Sequence, residues 1–258
     1  MRVPDESVLA EVDDGVLALT LNRPERLNVL DIETRKSLLG VLKAHATDAE
    51  VRCVLLSARG NVFSAGSDLR YILGLTPTKA KAYTKFVRSV LDSIEVYPKP
   101  TVGIVDGLAV GGGLEILLVL DIVIASPNAR FGLTELNVGL MPGGGGTQRL
   151  PRVVGLRKAK EMILTGDLIS AEEALALGLV NRVVARERLR EEAKLVCDKL
   201  KSKGPLRLKL AKEAVNQSMY KSLREGLDTE GRMYRTVASS AEAKEGIKRF
   251  LERRRDAK

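Results

Sequence analysis

Two short apolar runs, Val8 to Val12 and Val16 to Leu21, open the chain and are split by Asp13-Asp14-Gly15. Asp-Gly between apolar runs is a strong two-residue turn signal, so the segment predicts a β-hairpin. Asn22-Arg23-Pro24-Glu25-Arg26 breaks the pattern, and Leu38, Leu39 and Leu42 then recur at helical spacing, predicting a helix from Ile32 to Ala46. Cys53 to Ser57 reads as a buried strand. Thr76-Pro77 looks like an N-cap followed by proline at N1, opening a helix that runs towards Tyr97 and stops at Pro98-Lys99-Pro100. Strands follow at Thr101 to Val105 and Ile122 to Ala125, with Gly111-Gly112-Gly113 and an apolar stretch to Leu120 between them. Ser170-Ala171-Glu172-Glu173 reads as a capping box. From Arg188 the pattern is helical only, broken at Gly204-Pro205 and Ser239-Ser240, and the charge-dense end from Lys248 to Lys258 reads as a helix fraying into solvent. Alternating strands and helices predict an α/β fold with buried sheets over residues 1–200, followed by an appended helical region over 201–258.

With 258 residues, 45% hydrophobic and 29% charged, the chain can bury a real core without disulfide staples. Its apolar runs are short, Ile116 to Leu120 ending at Asp121, well below the ~20 residues of a membrane span. The start, Met1 to Glu6, has no apolar secretory core, which gives the expectation of a cytoplasmic protein. Cys53 and Cys197 have neither metal-ligand nor redox spacing and read as small buried hydrophobes, and no metal site is expected. The single histidine, His45, reads as a solvated helix residue, and with no GxSxG elbow a serine-histidine mechanism has no support. A net charge of +9 permits an anionic partner. Nucleic acid is disfavoured: aromatics make up 3%, the basic residues are dispersed among acids, and Val41 to Val51 holds one lysine.

Three segments offer chemistry. A glycine run before a helix, Gly111-Gly112-Gly113-Leu114-Glu115, lets a ligand approach backbone N–H donors; it is neither a GxGxxG nor a P-loop, and a tightly packed helix start is the plain alternative. Glu115 then enters apolar surroundings, where a carboxylate is costly unless bonded, paired or functional. Glu135, in Phe131-Gly132-Leu133-Thr134-Glu135, is a second carboxylate; two brought together could hold a water and exchange protons with it, although spacing alone does not make them meet. In Phe63-Ser64-Ala65-Gly66-Ser67-Asp68-Leu69, Asp68 reads first as a helix N-cap, with a second N–H donor facing the glycines as the functional alternative.

Taken with Asn22-Arg23-Pro24, Asp106 to Glu115, and Met141-Pro142-Gly143-Gly144-Gly145-Gly146-Thr147-Gln148-Arg149-Leu150, these segments, in this order and spacing, resemble the enoyl-CoA hydratase (crotonase) family. The likeness covers nearly the whole chain and implies a spiral of ββα units with C-terminal helices that drive trimerisation, alone or as a dimer of trimers. It also implies an acyl-CoA substrate, with no cofactor beyond the CoA the substrate carries. By motif position, the backbone N–H groups of Ser67 and Gly112 would form an oxyanion hole. Ser67, Asp68, Leu69 and Arg70 would line the substrate, and Glu115 and Glu135 would hold the water. Ser67 stands where relatives often have alanine, and Glu25-Arg26 where a lysine often follows the Asn-Arg-Pro motif, which makes Arg26 the candidate contact to the CoA phosphates.

Overall fold

A computed structural model of the protein describes residues 7–256; the opening residues 1–6 and the last two residues of the expected fraying end lie outside the described residues. Strands β1 (Val8–Asp13) and β2 (Val16–Leu21) form the expected hairpin. Its turn carries Asp14 at φ 43° and Gly15 at φ 75°, the left-handed pair that matches the twist of the strands it joins. Helix α1 (Ile32–His45) begins where the Asp31 side chain accepts from the Thr34 N–H at 2.8 Å, and returns the chain to β3 (Cys53–Ala58), parallel to β2.

From there the chain repeats one manoeuvre. Strand β4 (Val62–Ser64) leaves the first sheet for a second, followed by α2 (Leu69–Leu73) and α3 (Pro77–Glu95). The next turn is β5 (Thr101–Val105), β6 (Leu108–Val110) and α4 (Gly112–Leu117), and the next β7 (Ile122–Ala125), β8 (Arg130–Gly132), α5 (Gly146–Val154) and α6 (Leu156–Thr165). A short closing turn adds β9 (Ile169–Ser170), α7 (Ala171–Ala176) and β10 (Arg182–Val183). One sheet therefore runs β1-β2-β3-β5-β7-β10 and the other β4-β6-β8-β9, which is the ββα spiral expected.

The central strands β3, β5 and β7 of the larger sheet are covered on both faces, which is why they read as continuous apolar runs, whereas the edge strand β1 is largely exposed. Val54 and Leu56 of β3 join the main core, whereas Cys53, Val102, Ile104 and Ile124 pack under α8 (Leu189–Lys201) through Leu189, Ala193, Val196 and Cys197. Both cysteines are free and buried, as expected, and share this one cluster.

Three local expectations change. The stretch after Gly113 is helical only to Leu117, because the Asp121 carboxylate takes the Thr101 N–H at 2.7 Å and its hydroxyl at 3.0 Å and so fixes the start of β7. Ser170 caps the Glu173 N–H, but the Glu173 carboxylate pairs with Lys158 at 2.7 Å rather than completing a box. A full capping box sits instead at Ser222 and Glu225, marking an unforeseen break between α9 (Pro205–Gln217) and α10 (Leu223–Ala238), ahead of α11 (Ala241–Asp256).

The C-terminal helices meet the spiral through polar contacts. Lys212 pairs with Asp121 at 2.8 Å and Asn216 donates to the Glu95 carbonyl at 2.8 Å. Many of their apolar side chains stay exposed, among them Val215, Leu223, Leu227, Tyr234, Ile247 and Leu251.

Candidate functional site

The smaller sheet positions the site. Strands β4, β6 and β8 run parallel, with Ser64 opposite Ala109 after a register shift between Val62 and Ser64, and Val110 opposite Gly132. Just past their carboxyl ends the chain reaches Ser67, then Gly112 and Glu115, then Glu135. Residues far apart in sequence thus arrive side by side, at the strand ends where open α/β sheets place their ligands.

The Asn22–Leu30 segment braces the first of these ends. Asn28, buried and left-handed at φ 51°, donates to the Arg59 and Val62 carbonyls at 2.8 Å each, and its own carbonyl accepts the Ser64 hydroxyl at 2.8 Å. The Leu30 N–H donates to the Gly66 carbonyl at 2.8 Å, and Leu30 forms a parallel bridge with Ser67. At the second end, Gly111 adopts φ 51°, a conformation suited to glycine, and its N–H donates to the Gly132 carbonyl at 3.0 Å, tying the second strand end to the third. A Cβ built on Gly112 would lie 3.3 Å from Ser67 Oγ, so the two backbone segments are in close contact. Among the described residues, neither the Ser67 nor the Gly112 N–H donates to a turn, loop or cap carbonyl.

The two glutamates line one cavity of about 270 Å³. Glu115 is 5% exposed, and its Oε1 accepts from the Gly144 N–H at 2.8 Å and the Gly146 N–H at 2.9 Å. The second glycine cluster is therefore a cradle for this carboxylate. A Cβ on Gly144 would fall 2.3 Å from Glu115 Oε2, so no larger residue fits without moving the carboxylate. Glu135 lies over the Gly111 turn, its Oε1 3.2 Å from where a Cβ there would stand, and its Oε2 is buried with no hydrogen-bond partner among the described residues. Burial raises the Glu135 carboxyl to about 7; its own backbone N–H opposes the rise and the neighbouring Glu115 charge adds a lesser push in the same direction as burial. One carboxylate is bonded and fixed; the other is poised to hold or release a proton near neutrality.

Most of the remaining cavity wall is apolar, from Leu69, Ile72, Val87, Val138 and Leu140, with Tyr83, Thr84 and Thr134 beside them. Of the expected substrate-lining group, Ser67 and Leu69 face the cavity. Asp68 caps α2 by accepting from the Arg70 and Tyr71 N–H groups, as its plain reading held, and Arg70 is exposed outside the lining. Arg26 bridges Asp68 and Asp31 at 3.3 Å each, which places it at the rim beside the Ser67 segment with its side chain 46% exposed. His45 is bound to Asp48 at 2.9 Å rather than solvated free, and does not line the cavity.

Sequence reading missed Tyr83, Val87, the purpose of Gly144 and Gly146, and Arg35. The last had a signal: it stands three and four positions before Leu38 and Leu39, on the apolar face of α1, and is 1% exposed. Among the described residues, no group of histidine, cysteine or acidic side chains is placed to hold a metal ion.

Comparison with known proteins gives a consistent picture. Residues 11–257 match the family model described as enoyl-CoA hydratase/isomerase. The chain is 37% identical to the short-chain-enoyl-CoA hydratase of Clostridium acetobutylicum, covering 96% of each protein. It is 35% identical to the crotonyl-CoA hydratase of Syntrophomonas wolfei, covering 97% of this chain and 96% of that one. Among solved structures, an enoyl-CoA hydratase from Bacillus anthracis superposes with a TM-score of 0.91 at 35% identity, covering 96% of this chain and 97% of that one.

Proposed function

The chain belongs to the enoyl-CoA hydratase/isomerase family, and from that premise we propose that it adds water, reversibly and syn, to a trans-2-enoyl-CoA to give the 3-hydroxyacyl-CoA. The observation that carries this reading is the pair of glutamates on one cavity, one bonded through Oε1 and the other with its carboxyl raised to about 7. Hydration needs an oxygen delivered to C3 and a proton delivered to C2 of the same double bond. Glu115, held by the Gly144 and Gly146 amides, orients the water and takes one of its protons as the oxygen bonds C3; Glu135 gives its proton to C2, and transfer of the proton from Glu115 to Glu135 restores the pair.

As C2 takes that proton, negative charge builds on the thioester oxygen. The Ser67 and Gly112 N–H groups are the proposed donors to it, each of a kind worth about 2.7–4 kcal/mol. The acyl chain lies along the apolar wall, and Arg26 at the rim is the candidate contact to the CoA phosphates. The reaction so written moves protons and one water and needs no cofactor beyond the CoA of the substrate.

Assembly into trimers, alone or paired as hexamers, is part of the proposal and rests on the uncovered apolar side chains of α9, α10 and α11. Removing residues beyond Gly204 should then leave monomers or aggregates by light scattering, and an intact trimer would refute it. A division into a 1–200 core and a 201–258 assembly region is the matching proposal for the domains. Cys53 and Cys197, unbridged within one cluster, fit a reducing compartment such as the cytoplasm.

Product analysis with crotonyl-CoA tests the reaction. A hydratase consumes the double bond and yields 3-hydroxybutyryl-CoA; a shifted double bond or released free CoA would assign the site to isomerisation or hydrolysis.

A further inference from the structure

Arg35 is 1% exposed, among the largest fully buried side chains of the protein, and nothing in the reaction as described uses it. Its Nε donates to the Leu30 carbonyl at 3.1 Å and its Nη2 to Ser67 Oγ at 3.0 Å. The same Nη2 would be 3.0 Å from a Cβ on Gly112. The guanidinium therefore stands beside both residues whose amides are assigned to the thioester oxygen.

As a structural bolt it is a poor choice. Burying a guanidinium carries a large desolvation cost, and apolar residues of similar volume often replace buried charges without loss of stability. Its Nη1 is buried with no hydrogen-bond partner among the described residues. Burial pushes the guanidinium below its ordinary range, while Tyr83, Glu115 and Asp31 around it favour the charged form. Arginine stays protonated in proteins, so the charge persists.

We propose that Arg35 supports the reaction from behind the site: its buried positive charge stabilises the thioester oxygen as that oxygen becomes negative. This rests on the hydratase reading and deepens it. The two amides supply aligned dipoles, and the guanidinium adds a full charge in a water-poor setting where charge acts strongly and needs no reorganisation. Its effect runs through the Ser67–Gly112 backbone and does not depend on the Ser67 hydroxyl, because the bond to Leu30 holds the guanidinium as well.

The test compares Arg35→Met, Arg35→Gln and Arg35→Lys with the native chain. We expect Arg35→Met to fold with an unchanged or higher Tm and to lose about ten- to a hundredfold in kcat, less than the loss of a direct oxyanion donor. KM for crotonyl-CoA should stay within about threefold, because the charge acts on the transition state rather than on ground-state binding. Arg35→Lys, which keeps the charge, should recover a large part of kcat, and Arg35→Gln, which keeps an N–H without the charge, should not. If Arg35→Met fails to fold, Arg35→Gln decides by the same criterion. A non-turnover readout runs beside these: the enolate absorbance of bound acetoacetyl-CoA, which reports stabilisation of negative charge at the thioester end, should fall in the neutral variants. A neutral, folded variant with kcat within twofold of native and unchanged enolate absorbance would overturn the proposal. If the native chain hydrated no enoyl-CoA while the enolate signal still depended on Arg35, the hydratase reading would fall and the role of the charge would stand.

Discussion

Glu115 and Glu135 are the same side chain, delivered by neighbouring strands to one cavity, yet the regions around them are built in opposite ways. Around Glu115 the chain commits two backbone N–H groups from a glycine loop some thirty positions away, and buries the result. Around Glu135 it supplies a one-turn helix, an oxygen with no hydrogen-bond partner among the described residues, and a half-buried setting that lifts the carboxyl to about 7. Chemical identity in the sequence thus says little about role. The number of donors each carboxylate meets, and the water each loses, is what separates the proposed orienting group from the proposed proton donor.

The most forceful way to break this contrast is to remove each carboxylate in turn. Glu115→Gln and Glu135→Gln should each lower kcat by about 10²–10⁴-fold, the usual weight of general acid–base groups, while CoA-ester binding measured by calorimetry survives. Near-native hydration of crotonyl-CoA by either variant would mean that the pair does not share the work.

The cradle can be disturbed without touching a carboxylate. Gly144→Ala would push a Cβ to 2.3 Å from Glu115 Oε2 and 2.7 Å from Leu91 Cδ1. Displacing the fixed carboxylate by this means should cost about 10²-fold in kcat, as misplacements near 1 Å do. If a folded Gly144→Ala enzyme keeps its rate, Glu115 is not held in the way described.

A third test concerns stability rather than rate. The carboxyl of Glu135 titrates near 4.5 when unfolded and about 7 when folded. Between those values the folded chain keeps a proton that the unfolded chain has lost, so stability falls as pH rises through the window and levels off above it. Part exposure of the carboxyl damps this below the ~1.4 kcal/mol per pH unit of the full shift. Glu135→Gln should therefore be about 1–2 kcal/mol more stable than the native chain at pH 8 and equal to it at pH 4, by urea denaturation. An equal difference at both pH values would remove the burial argument.

The smallest expected effect separates side chain from backbone at Ser67. If the proposed main-chain N–H is the donor, Ser67→Ala should hold kcat within about threefold, whereas Ser67→Pro, which has no N–H to offer, should lose about 10²-fold. The proline result counts where circular dichroism and oligomeric state stay native. A large loss in a folded alanine variant would move the oxyanion hole elsewhere.

Much of this was legible in the order of residues. The hairpin could be read from Asp14-Gly15, the third helix from Thr76-Pro77, and the strands at 101–105 and 122–125 from their composition, because each depends on local chemistry. The segments that supply Ser67, Gly112, Glu115 and Glu135 could be picked out as well. What could not be read was which atoms meet. Gly144 and Gly146 bond Glu115 through backbone atoms that every residue possesses, and their glycine identity records the lack of room for anything larger. Tyr83 and Val87 sit on a helix whose periodicity shows a buried face but not what that face encloses. Arg35 was readable in principle, as a charge on an apolar stripe, but the adjacent Lys36 gives that stretch the look of a solvent face.

The cavity draws its chemistry and its lining from different parts of the chain. Ser67, Gly112, Glu115 and Glu135 come from the ends of three paired strands, whereas much of the apolar wall comes from residues 69–87 and 138–141, outside those strands. The wall can therefore vary almost as a removable part. Substitutions at Ile72, Leu75 or Leu140 would change which acyl chains are admitted while leaving the chemistry proposed for the strand ends in place. For a lineage of such proteins, diet and chemistry become separately inheritable traits, and a new substrate requires no rebuilding of the reaction.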